Sequence, residues 1–150
     1  MADLDSTPEE EVLSILAHKL VDQVALYGLA KGIAKSPRIA DVIQKMKDDR
    51  AHLLQDINAK IFLNGIPPIE QGTKLGNARK SFQRLREVAE KNDHTALLEV
   101  ERGEHYLRER FARAAADERL AAHTRNYIQT LVSRITRTHE EIGHLRQSLG

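Results

Sequence analysis

Residues 7–37 read TPEEEVLSILAHKLVDQVALYGLAKGIAKSP, and the stretch opens and closes on the same signal. Thr7-Pro8 and Ser36-Pro37 each place a hydroxyl able to accept from free helix N–H groups, ahead of a proline whose fixed φ suits a first helical turn. Glu10, three residues after Thr7, completes a capping box. No proline falls between the two signals, so the pattern predicts one helix from Pro8 to about Lys35 and, after a very short turn, a second from Pro37. That second helix ends at Asn64-Gly65, where Pro67-Pro68 prevent continuation. Two long helices in immediate succession form an antiparallel hairpin.

Outward from this hairpin the pattern repeats. Glu70–Thr73 reads as loop, and Leu75, Ala78, Phe82, Leu85 and Ala89 then form one apolar stripe at three-four spacing, a shorter helix. Asn92-Asp93 stops that helix and caps the next, which runs from about His94 to near Asp117. A last helix spans about Ala121 to Ser148. No Gly or Pro marks the junction between these two, and a turn is placed within Ala114–Leu120 because an unbroken helix of that combined length is improbable in so small a domain. The expected fold is all-α: a ferritin-like antiparallel four-helix bundle, with a helical crossover between helices 2 and 3 that makes those two parallel. A five-helix up-down bundle is the alternative topology. Residues 1–7 are a short tail, and 8–150 one domain.

Composition agrees. The 150 residues suit a single core, and aromatic residues at 4% disfavour a sheet. With 23 basic and 22 acidic side chains the formal charge is +1, so the global balance demands neither nucleic acid nor an anionic surface. There is no cysteine, which excludes disulfides, thiolate metal sites and a cysteine nucleophile. The acidic start MADLDSTPEEE lacks the basic, then apolar, pattern of a secretory signal, and no run of consecutive apolar residues approaches a membrane span. The expectation is a cytoplasmic protein with no membrane partner.

At roughly 100° per residue each long helix has a core direction, and each carries a polar interruption. Helix 1 presents Leu13, Leu16, Leu20, Val24, Tyr27 and Ala34, with Gln23 among them. Helix 2 presents Ile39, Val42, Met46, Leu53, Ile57 and Ile61, with Arg50 inside the stripe and Asp49 at its edge. Helix 3 presents Leu97, Val100, Leu107 and Phe111, with Glu104 central and Glu101 to one side. Helix 4 presents Ile128, Leu131, Ile135, Ile142 and Leu145, with His139 on the flank. In the ferritin-like topology Gln23, Tyr27, Arg50, Glu104 and His139 stand at nearly one height, a single buried polar layer.

Glu101-Arg102-Gly103-Glu104, Asp49-Arg50-Ala51, Thr138-His139-Glu140 and Leu145-Arg146 resemble an uncharacterised bacterial family of ferritin-like four-helix-bundle proteins, a domain of unknown function. The likeness spans about residues 12 to 147. Ferritin-like di-metal enzymes hold two ions with one Glu from each of two helices and Glu-x-x-His from each of the other two. This sequence departs from that pattern. His52 and His144 complete the spacings Asp49-x-x-His52 and Glu141-x-x-His144 but point away from the core, and helix 1 offers Gln23 and Tyr27 where a Glu is needed.

Two readings of the layer follow. In the first, Arg50 supplies the charge compensation of a metal, and the chain is a non-enzymatic structural or interaction protein without cofactor, stress-associated by family analogy. In the second, Glu101, Glu104 and His139, with Asp49 as a possible fourth ligand, hold iron, manganese or zinc for oxidoreductase or iron-handling chemistry. Lys74, Arg79, Lys80, Arg84 and Arg86 give a third class, weak nucleic-acid binding by the crossover helix, which a solvated helix face explains more simply. His18, His94, His105, His123 and His144 show no mutual ligand spacing. A second apolar stripe on helix 1, Val12, Ile15, Leu26, Leu29 and Ile33, points to the crossover helix or a second copy as its cover, and a homodimer is the expected partner.

Overall fold

The computed structural model describes residues 7–62, 68–70 and 92–149. Among these the regular structure is all helix, with no strand: α1 (Pro8–Ile33), α2 (Pro37–Phe62), α3 (Asp93–Ala115) and α4 (Ala122–Ser148). The crossover stripe from Leu75 to Ala89 and the basic cluster Lys74–Arg86 lie outside the described residues.

The caps at Thr7 and Asn92 form as the sequence indicates. Thr7 Oγ1 accepts from Glu10 N at 3.1 Å, and Glu10 Oε2 accepts from Thr7 N at 3.4 Å, with Pro8 at the first helical position. Asn92 caps α3 by accepting from Thr95 N at 2.9 Å. Helix α1 ends two residues before Lys35, because Ala34 turns extended to reverse the chain. The α3–α4 turn forms without glycine or proline. Asp117 Oδ1 accepts from Arg119 N at 3.0 Å, a local side-chain turn, and Leu120 then drops into the core.

Two long-range contacts fix the direction of the helices. Asp93 Oδ1 accepts from Lys35 N at 2.8 Å and Ser36 N at 3.0 Å, pinning the start of α3 to the α1–α2 turn. At the other end, Glu9 Oε2 accepts from Ala121 N at 2.7 Å, pinning the α3–α4 turn to the start of α1. Helices α2 and α3 therefore begin at one end, α1 and α4 at the other. The end of α2 and the start of α3 therefore lie at opposite ends of the bundle, separated by the 26-residue length of α2, about 39 Å. Helix α1 packs on α2 and α3, and α3 on α4. The α2–α4 side is bridged by long polar side chains.

Each helix contributes a seam of alternating three- and four-residue steps. The seams are Leu13, Leu16, Leu20, Gln23, Tyr27 and Ala30; Ile39, Ile43, Met46, Arg50, Leu53 and Ile57; Leu97, Val100, Glu104, Leu107 and Phe111; and Ile128, Leu131, Ile135, Thr138 and Ile142. All are buried except Thr138, which is partly so. The seam corrects the expected core at four places, one of them Leu145, which is only partly buried. Ile43, not Val42, is fully enclosed, and Val24 and Ala34 are only partly covered.

The apolar core is divided in two. One cluster runs from Leu13, Leu20, Leu53, Leu107 and Phe111 to Ile135, and the other gathers Leu26, Ile39, Ile43, Met46, Leu97, Val100 and Ile142. Between them lies the polar layer. Helix α1 is apolar on several sides because it is flanked by both α2 and α3: Val12 and Leu26 of its second stripe are buried, while Ile15 is 55% exposed. Among the described residues α1 alone is long and apolar enough to cross a membrane, at mean hydropathy 1.3, and half of that window is buried in the bundle.

Candidate functional site

The layer between the two clusters is built from seam positions on all four helices: Gln23 and Tyr27, Arg50, Glu104 and Thr138. Glu104 and Arg50 are both 0% exposed. Arg50 Nη2 donates to Glu104 Oε1 at 2.5 Å and Nε to Oε2 at 3.0 Å, a bidentate fork. Thr138 Oγ1 donates to Glu104 Oε1 at 2.8 Å and accepts from Arg50 Nη2, and Tyr27 Oη donates to Glu104 Oε2 at 2.5 Å. Arg50 Nη1 donates to Asp49 Oδ2 at 2.9 Å, and Arg134 Nη2 reaches Asp49 Oδ1 at 2.7 Å.

Arg134, Asp49, Arg50 and Glu104 thus form a neutral chain of alternating charges. It runs from the surface, where Arg134 is 39% and Asp49 31% exposed, to the centre of the bundle. Burial alone would lower the Arg50 pKa, but the hydrogen bond and charge of Glu104 outweigh it and raise it, so the guanidinium stays charged. The Tyr27 phenol is pushed well above its ordinary value, first by burial and then by the charge and hydrogen bond of Glu104, so it stays neutral and donates.

Gly103 explains how α1 comes close enough. A Cβ there would stand 2.4 Å from Gln23 Oε1 and 3.1 to 3.2 Å from the ring and hydroxyl of Tyr27. With no side chain at 103, Gln23 and Tyr27 of α1 lie against α3 without having to shift.

The residues singled out in the sequence separate into different environments. Gln23, Tyr27, Arg50 and Glu104 come together, and Asp49 extends the set toward the surface. Glu101 lies outside it, bound by the Arg146 guanidinium, whose Nη2 is 3.5 Å from Glu101 Oε1. His139 is not at the Glu104 layer: its ring lies beside His105, with centroids 5.8 Å apart, and Thr138 occupies the inward position expected for it. The reason is the seam. Positions 138 and 139 both stand one turn from Ile135 and Ile142, and the alternating four-three rhythm selects 138. Thr138 was legible from that rhythm, and Gly103 from its place beside the carboxylate. Among the described residues no three His, Asp or Glu side chains gather in a group able to hold a metal, and Glu101, Glu104, His139 and Asp49 each face a different neighbour.

Fold and layer define a class, the all-helical protein with a charged core layer bonded from each of its four described helices. The chain matches the family described as Domain of unknown function (DUF2383) over residues 9–117, and it belongs to that family. The match takes in α1, α2 and α3, and with them Gln23, Tyr27, Arg50 and Glu104. No curated protein and no solved structure matches the chain.

Proposed function

We propose that this chain is a non-enzymatic, ferritin-like bundle, structural or interaction-mediating, in which the Arg50–Glu104 pair occupies the place of a di-metal centre. The supporting observation is the occupancy of Glu104: both its oxygens accept from Arg50, one also from Thr138 and the other from Tyr27. A carboxylate so engaged has little lone-pair capacity left for a cation, and the guanidinium repels one. Helix α1 faces the layer with Gln23 and Tyr27 instead of a carboxylate, so the residues present do not fit a di-metal group. The parallel start of α2 and α3, fixed by Asp93, supports the ferritin-like topology.

Metal analysis of protein purified without chelator tests this reading. The expected result is no stoichiometric iron or manganese, and no change in stability on adding ferrous iron. Stoichiometric iron or manganese that disappears in Glu104→Ala would overturn it in favour of a metal-dependent oxidoreductase or iron-handling protein.

A further inference from the structure

Away from the Arg50–Glu104 layer, two imidazoles from different helices stand together where α3 meets α4. His105 and His139 have ring centroids 5.8 Å apart and planes tilted by 44°. His105 is 54% exposed and His139 partly buried, so one ring is set against the bundle while the other remains free to adjust. We propose that His105 and His139 form a surface site for a divalent ion of the zinc class, clipping α3 to α4.

The distance suits such an ion. With zinc–nitrogen bonds of about 2.0–2.1 Å and tetrahedral angles, two imidazoles on one zinc have ring centroids on the order of 5 Å apart. The observed 5.8 Å is closed by a small rotation of the exposed ring. Imidazole nitrogen is a borderline ligand that suits zinc, copper and nickel, whereas magnesium and calcium prefer oxygen. Glu109 Oε1 stands 3.8 Å from His105 Nε2, the kind of carboxylate that orients a ligating imidazole through its second nitrogen. Arg108 Nη2 lies 3.5 Å from His105 Nδ1, and an ion at that nitrogen displaces this surface guanidinium. Among the described residues no third His, Asp or Glu completes the group, so water fills the remaining positions and the ion exchanges readily.

The experiment is a melting series on the full chain, stripped with chelator, in zinc or magnesium. Zinc at about five times its dissociation constant should raise the melting temperature by about 2–4 °C, and magnesium should leave it unchanged. His105→Ala and His139→Ala should each abolish the zinc shift, and Glu104→Gln should keep it. Because His139 is partly buried, calorimetric zinc titration of His105→Ala provides a second readout on a variant whose exposed ring can be removed without disturbing the core. No zinc shift in the parent, undiminished binding in His105→Ala, or loss of binding in folded Glu104→Gln overturns the proposal. Iron or manganese that depends on Glu104 would contradict the metal-free reading of the core layer and leave this surface site standing.

Discussion

Arg50 holds both oxygens of Glu104, at 3.0 and 2.5 Å, where neither side chain is exposed to solvent. Two charges buried in this way are tolerable only when their remaining hydrogen-bonding capacity is met, and Tyr27, Thr138 and Asp49 meet most of it. The layer separates two apolar clusters that on their own could slide by a turn. A specific bond between helices at mid-bundle fixes their register, the use of buried polar groups best attested in helical assemblies.

Gly103 tests how tightly α1 is seated. Replacing glycine by alanine inside a helix ordinarily gains about 1 kcal/mol. Here the new Cβ meets Gln23 Oε1 at 2.4 Å and Tyr27, itself held by Glu104, at 3.1 Å. Gly103→Ala should therefore destabilise by about 1–2 kcal/mol in urea unfolding. In a Gln23→Ala background the same substitution should be neutral or stabilising. A stabilising effect in the parent would show that α1 is not held against α3 as described.

Tyr27 sets an alkaline limit. Its raised phenol pKa, caused by burial and then by Glu104, means that above pH about 10 the unfolded chain has lost a proton that the native protein keeps. The native state then binds more protons, and stability falls as pH rises; the contribution is complete below about pH 10 and lost toward the folded value. Tyr27→Phe should flatten that decline in the urea midpoint, and an equally steep decline in the variant would place its origin elsewhere. Tyrosinate absorbance should rise first for Tyr106: burial raises its phenol, but Lys19 and Arg110 outweigh burial and lower it. Tyr27 should titrate last, with unfolding.

Thr138 and His139 are adjacent in sequence and differ in consequence. Thr138→Val keeps the shape but removes the hydroxyl shared by Glu104 and Arg50, and should cost about 1–3 kcal/mol. His139→Ala in metal-free protein should cost less than about 1 kcal/mol, because its ring lies away from the layer. Equal losses in the two variants, measured by thermal unfolding, would contradict the placement of Thr138.

These two positions also mark where sequence reading stops. The starts of α1 and α3 were legible because Thr7, Pro8 and Asn92 act locally, through caps a few residues long, and that of α2 because Pro37 opens it. Arg50 and Glu104 interrupt apolar stripes so abruptly that periodicity alone turns them inward. A choice between neighbours such as Ile43 and Val42, or Thr138 and His139, depends on helix rotation by less than one residue. The strict alternation of the seam settles that rotation, and an averaged 100° wheel does not. The meeting of His105 with His139 depends on how α3 and α4 are set side by side, and no spacing within either helix carries it. The α3–α4 turn escaped the usual punctuation because Asp117, not glycine or proline, makes it.

The central claim is that Arg50 and Glu104 stabilise the bundle as a pair, and a double-mutant cycle tests it most directly. Arg50→Leu leaves Glu104 buried without its cation and should cost about 3–5 kcal/mol in urea unfolding, and Glu104→Leu should cost a similar amount by orphaning Arg50. The double variant Arg50→Leu/Glu104→Leu should be more stable than either single one, giving a coupling of about 3 kcal/mol or more. Additive losses in the double variant, or an Arg50→Leu protein as stable as the parent, would contradict the account.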